Sequence, residues 1–224
     1  MPPSCPRTGN AHRRADRYRD PVTEFAAIVL AGGSGRRLGG PDKPGRPVAG
    51  RPMVQRVLDA VPDASPRVVV GPATAGLPPD VVLARESPPG GGPVAAAAAG
   101  IARLATTVDH VALLAADMPL LTLEGIRPLR DALAAGSADG ACYVDDSGRL
   151  QVLCGVWRAP ALRRALARLA AERGATLTGA SMRALTAGLA VAPVPWAGRG
   201  LPPWFDCDTD DDLRRAEEWA HEQA

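Results

Sequence analysis

The chain has 224 residues, 46% apolar and 22% charged, with a formal charge of +2. These values describe an ordinary globular protein and give no reason to expect nucleic acid or a membrane surface as a partner. Four cysteines without a C-x-x-C spacing suggest neither a disulfide framework nor a zinc site, and three scattered histidines argue against a catalytic imidazole.

Residues 1–24 are polar and Arg-rich and lack the apolar segment of a signal peptide. They read as a disordered basic tail ahead of one domain spanning 25–224. No stretch reaches the roughly 18 uncharged apolar residues of a membrane span, so the expectation is a soluble, cytoplasmic protein. FAAIVLA (25–31) is an apolar run without alternation, which suits a buried strand of a parallel sheet, and it ends in a glycine-rich loop. PMVQRVLDAV (52–61) reads as a helix with Pro52 near its first turn and Met53, Val54, Val57, Leu58 and Val61 on one stripe. Strands follow at 67–71 and 80–84. The loop ESPPGGG then leads to an alanine-rich helix (93–104) and a fourth strand, HVALLAA (110–116).

The second half predicts a helix at 122–136 capped by Thr122, then two strands flanking the turn Asp145-Asp-Ser-Gly148 as an antiparallel pair. An amphipathic helix (159–174), a short helix in SMRALTAG, a strand in LAVAPVP and a closing helix from Thr209 complete the pattern. Strands alternating with helices imply right-handed crossovers and a three-layer, doubly wound, mainly parallel α/β domain. Ligands of such sheets collect outside the carboxyl ends of the strands. Three unusual pieces lie there: the loop after the first strand, Asp117 after the fourth, and an acidic cluster before the last helix.

The loop holds Gly32, Gly33, Gly35, Gly39 and Gly40 with Arg36 and Arg37 between them. Glycines let backbone amides approach an anion, because no Cβ keeps it away. Counting excludes the two common fingerprints. G-x-G-x-x-G would need glycine where Leu38 stands, and the P-loop would need Lys and Ser/Thr where Pro41 and Asp42 stand. Lys43 follows, and it is the only lysine among 26 Lys and Arg. Arginine bias accounts for much of that scarcity. An ammonium is nevertheless a compact charge on a thin stem, able to slide between phosphate oxygens where a planar guanidinium is broad.

The string Leu30-Ala-Gly-Gly-Ser-Gly-Arg-Arg37-Leu-Gly39-Gly-Pro-Asp-Lys43 resembles the signature of nucleotidyltransferases of the MobA-like NTP transferase family. Its Gly-Gly-x-Asp-Lys ending is most similar to the molybdenum cofactor guanylyltransferases. The resemblance runs from about residue 25 to 220. It implies a fold of nucleotide-diphospho-sugar transferase type and a nucleotide site at Leu30, Ala31, Gly32, Gly33, Lys43, Gly71, Glu86 and Asp117, with Arg37, Lys43 and Asp117 in catalytic roles.

Asp117 directly follows a buried strand and precedes Met118-Pro119, and Thr122 is the closer cap for the next helix. A carboxylate at a strand end can hold Mg2+ while phosphates and water fill its other positions, and the resemblance makes this position a metal ligand. In Asp206-Cys-Asp208-Thr-Asp-Asp-Asp212, the stretch from Thr209 reads as a helix N-terminus, where acids complement the dipole. Asp206 and Asp208 precede the cap and share a side if extended. Asp208 is slightly preferred as the second metal contact. Gly71 falls where the bacterial guanylyltransferase pattern has Asn, so any base contact there is left to the backbone.

Transfer of a nucleotidyl group to an existing phosphate needs no general base, since the acceptor is already an anion. It needs in-line positioning and neutralised charge. Glycines, arginine, Lys43 and a carboxylate-held Mg2+ supply that set. The expected reaction joins GTP to a molybdopterin-type acceptor with release of pyrophosphate. The alternatives are CTP, a sugar phosphate acceptor, or a non-catalytic nucleotide-binding protein. The acceptor pocket is expected from loops such as 145–151 and 195–205, with transient contact to cofactor-synthesis or acceptor enzymes.

Overall fold

A computed structural model describes residues 24–32, 43–72 and 76–222. The expected tail therefore lies, but for Glu24, outside the described residues, as do Gly33, Arg36 and Arg37 of the glycine loop.

The strands are β1 (Phe25–Leu30), β2 (Pro47–Val48), β3 (Arg51–Pro52), β4 (Arg67–Val70), β5 (Val81–Ala84), β6 (His110–Ala115), β7 (Gly140–Val144), β8 (Leu150–Arg158) and β9 (Val191–Pro195). The helices are α1 (Met53–Asp59), α2 (Pro93–Ile101), α3 (Leu123–Ala134), α4 (Ala159–Glu172), α5 (Met182–Thr186) and α6 (Asp210–Glu222). Seven strands form one sheet in the order β5-β4-β1-β6-β8-β7-β9. Within it β8 pairs antiparallel with β6 and β7, and the other pairings are parallel. Among the described residues no helix is long and apolar enough to cross a membrane.

Continuous apolar runs mark the central strands because both faces of the sheet are covered. Ala26, Ile28 and Leu30 of β1 join Val68 and Val70, Val111 and Leu113 under α2, α4 and α5. Ala27, Val29 and their neighbours Val69, Ala112 and Leu114 face α1 and α3. The result is the expected three-layer sandwich. Register sets the site: Leu30 lies beside Val70 and Ala115, and Val70 beside Ala84. The carboxyl ends of the central strands therefore finish level, with Ala31, Gly71 and Ala116 side by side.

The small hairpin of β2 and β3 adds to the expected elements, because two-residue strands carry no periodicity in the sequence. Its turn residues Ala49 and Gly50 both have positive φ, at 48° and 72°, as a tight hairpin turn demands. The unfavourable alanine conformation is held from outside. Glu217 of α6 accepts a 2.7 Å hydrogen bond from the Ala49 amide, which ties hairpin to helix.

In the antiparallel half, the buried Trp157 indole lies against Gly140 of β7, where any Cβ would overlap the ring. Gly140→Ala should overpack this contact and cost about 1–3 kcal/mol, read as a lower urea midpoint with an unchanged slope.

Candidate active site

Beyond the level strand ends opens a shallow cleft lined by Leu30, Ala31, Gly32, Lys43, Pro44, Ala116 and Asp117. Lys43 begins a short 3-10 turn, Lys43–Gly45, and its side chain is only 13% exposed. Its Nζ donates to Asp117 Oδ2 at 2.5 Å and to Asp208 Oδ1 at 2.6 Å. Burial alone would lower the lysine pKa. The hydrogen bonds and charges of Asp117 and then Asp208 outweigh it and hold the ammonium above its ordinary value. One compact cation thus joins segments 74 and 165 residues away in sequence.

Each partner is fixed by its own scaffold. Asp117 stands just past β6, and its carbonyl accepts from the Cys207 amide at 3.0 Å. That bond fastens the acidic segment to the end of the strand. Around it Val48, Met53, Leu120, Cys207, Leu213 and Ala216 form a separate apolar cluster. Arg56 of α1 reinforces it by donating to the carbonyls of Pro119, at 2.8 Å, and Val48. Burial, the first cause, and the negative charge of Asp117 and Asp212 push the Cys207 thiol up to about 12, so it serves as packing and not as a nucleophile.

Asp208 is placed by a capping box. Thr209 Oγ1 accepts from the Asp212 amide at 3.1 Å. Asp212 Oδ2 in turn accepts from the Thr209 amide at 3.0 Å, from the Thr209 hydroxyl and from the Asp208 amide at 3.2 Å. Arg46 donates to Asp210 at 3.0 Å, adding a second tie between the Lys43 turn and α6.

Residues 27–191 match the MobA-like NTP transferase domain. The chain belongs to the MobA-like NTP transferase family. Molybdenum cofactor guanylyltransferase of Bradyrhizobium sp. (strain ORS 278) is 30% identical over 209 residues, spanning 89% of this chain and 94% of its own. Among solved structures, molybdopterin-guanine dinucleotide biosynthesis protein A of Archaeoglobus fulgidus is similar with a TM-score of 0.65 and 22% identity, covering 88% of this chain and 99% of its own. For 2-C-methyl-D-erythritol 4-phosphate cytidylyltransferase of Thermus thermophilus the TM-score is 0.62 at 19% identity, over 88% and 99% of the chains. These two likenesses speak to the fold, which is that of nucleotidyltransferases.

Nucleotidyl transfer is accordingly the chemistry of this MobA-like chain, and the residues expected for it fall into groups. Leu30, Ala31, Gly32, Lys43 and Asp117 line one cleft, and Asp208 joins them through Lys43. Gly33 and Arg37 lie outside the described residues. Gly71 backs the cleft wall: a Cβ there would come within 2.9 Å of the Ala31 carbonyl, so this position has no room for an Asn side chain. Glu86 accepts from the Gly90 amide at 3.0 Å and steadies the Pro/Gly loop before α2. Asp206 carries a raised pKa, from desolvation first and from the charges of Asp208 and Asp117 after it.

Two residues that shape the site stand outside the sequence-based assignment. Asp212 was legible in principle, since Thr-x-x-Asp spaces a capping box. Arg56 carried no signal, because its partners are carbonyls brought near only by folding. Asp212→Ala should remove the box, lower stability by about 1–2 kcal/mol and loosen the Asp208 segment. Thermal unfolding reads the first effect and amide exchange at Asp208 the second.

Proposed function

We propose that the protein transfers GMP from GTP to the phosphate of a molybdopterin-type acceptor, releasing pyrophosphate. The observation that carries this reading is the single ammonium of Lys43 shared by Asp117 and Asp208 at the carboxyl edge of a MobA-like sheet. The guanine and the pterin acceptor come from the activity for which the Bradyrhizobium relative is named. A cytoplasmic location follows from soluble substrates of this kind.

The donor set fits Mg2+. Two carboxylates already converge on one positive charge, and oxygen ligands suit a hard cation that takes one or two carboxylates and fills its shell with phosphates and water. Among the described residues no group of three or more His, Cys, Asp or Glu is arranged to hold a metal, so the protein's share is small. Asp117 and Asp208 would hold the ion. Asp208 is preferred over Asp206 because its Oδ1 already shares the Lys43 ammonium with Asp117. When bound, the ion would neutralise charge on the α-phosphate and on the departing pyrophosphate.

The chain's own groups do the remainder. Gly32 presents backbone without a side chain in the way, a Cβ there meeting no atom within 4 Å. Lys43, with its stem packed, keeps its charge between the two carboxylates until nucleotide arrives, and then brings it to the phosphates. No base is required, because the attacking acceptor phosphate is already deprotonated at neutral pH. The base of the nucleotide is read by backbone at Gly71, where the packing against Ala31 excludes a side chain.

The test is a panel of four NTPs with Mg2+ and molybdopterin, followed by mass detection of dinucleotide. GTP should give product and pyrophosphate. Product from CTP alone would replace guanylyl by cytidylyl transfer, and none from any NTP would leave a nucleotide-binding protein. Asp117→Ala should abolish product. Lys43→Arg keeps the charge, yet the broader guanidinium does not fit between carboxylates 2.5 and 2.6 Å from one nitrogen. Its kcat should fall about 100-fold or more, measured by pyrophosphate release with the circular dichroism spectrum unchanged. Full activity in the Lys43→Arg enzyme would overturn the role given to Lys43.

A further inference from the structure

The same edge of the sheet carries a second feature, built from three aromatic rings. β7 and β9 run parallel to one another and antiparallel to β8, as β6 does. Their carboxyl ends therefore emerge on the Asp117 side. Tyr143 comes from the end of β7, Trp196 follows β9 directly, and Trp204 precedes Asp206 in the segment that carries Asp208. Ring centroids of Tyr143 and Trp204 lie 5.0 Å apart, tilted by 36°. Trp196 meets Tyr143 at 5.8 Å and 90°, and Trp204 at 6.4 Å and 78°.

The base of this cluster belongs to the fold. Tyr143 is 1% exposed, and its hydroxyl donates to the Gly125 carbonyl at 2.6 Å in the first turn of α3, the helix that follows Asp117. Trp204 packs against the buried core from above. Trp196 is different. It remains 36% exposed although it is ringed by aromatic partners, and the backbone of Gly198 lies so close that a Cβ there would overlap the indole. The two other large apolar side chains with such exposure among the described residues, Val82 and Leu83, sit on the edge strand β5 at the opposite end of the sheet. A rigidly held, partly open indole adds little to a core, and it is well suited to receive another flat ring.

Its position selects the ring. Gly32 lines the nucleotide cleft on the β1 side of Asp117, with Gly71 packed behind it against Ala31. The aromatic cluster lies on the other flank, toward β7 and β9. It draws Tyr143 from beside the 145–151 turn and both tryptophans from the 195–205 loop, the two segments expected to form the acceptor pocket. We infer that Trp196, backed by Trp204 and Tyr143, is the stacking surface for the planar heteroaromatic ring of the acceptor, a fused bicycle of the pterin class. The inference rests on the acceptor named under the proposed function. Indole faces suit this task because they offer large contact area at small entropic cost.

The experiment uses the full chain and the fluorescent pterin xanthopterin as probe, with binding followed by its anisotropy and GTP binding followed by calorimetry in Mg2+. Trp196→Leu should weaken xanthopterin about tenfold or more and leave GTP affinity unchanged. Trp196→Phe, which keeps a flat ring, should stay within about threefold of the wild type. Wild-type affinity for xanthopterin in Trp196→Leu would overturn the inference, as would displacement of xanthopterin by GTP, which would put the ring in the nucleotide cleft. Parallel loss of GTP and xanthopterin in both variants would also overturn it, by making Trp196 a structural prop. A wild-type enzyme that forms dinucleotide yet binds no xanthopterin would overturn the stacking site and leave the proposed reaction standing. Absence of dinucleotide from every NTP is the separate failure of that reaction.

Discussion

Two ionised carboxylates from distant parts of the chain repel one another at the mouth of a cleft, and a positive charge between them removes that cost. The Lys43 ammonium, within 2.6 Å of both Asp117 and Asp208, satisfies that electrostatic constraint, and the local architecture is arranged around it. Asp208 is 52% exposed and Asp117 26%, so the grouping is open enough for phosphates and too polar to be a simple structural bridge. A partly exposed triad of charges is a weak source of stability. Its place at the cleft is explained instead by the turnover proposed above.

The scaffold explains why the grouping is well defined. Parallel strands of matched length deliver Ala31 and Ala116 to the same level, and the Cys207 amide clamps the acidic segment to the Asp117 carbonyl. The cluster of Val48, Met53, Leu120, Cys207 and Leu213 then closes the hairpin, α1 and α6 over one small core. α6 is otherwise an outlying helix with a narrow apolar stripe. Its Glu217 holds the hairpin turn, its Asp212 holds Asp208 and its Asp210 accepts from Arg46, three residues after Lys43.

Much of this was legible before folding was considered. Uninterrupted apolar runs such as FAAIVL announce strands covered on both faces, and the chain order of strands and helices then leaves little freedom of topology. Asp117 stood out because it followed such a run without an obvious capping duty, and Lys43 because it broke an arginine bias. The geometry joining them was not legible, because the bridge spans 74 and 165 residues of sequence. The two-residue strands of the hairpin lay below the length at which periodicity exists. The tight fit of Gly71 against Ala31 and of Gly198 against Trp196 depends on backbone approach, for which a glycine in a sequence is only weak notice. Glu86 entered the nucleotide site through the resemblance alone, and the bond it accepts from the Gly90 amide in its own loop had no sequence signal.

In the proposed reaction Asp117 and Asp208 form the cation-binding pair, and Lys43 turns from them to the phosphates when nucleotide arrives. A crystal structure with Mn2+ and a non-hydrolysable GTP analogue tests this most directly, through the anomalous signal of the metal. The expected result is a manganese peak on the Asp117 and Asp208 carboxylates, with Lys43 Nζ moved onto a phosphate oxygen. A metal bound elsewhere, with Lys43 still bridging the two aspartates, would contradict it.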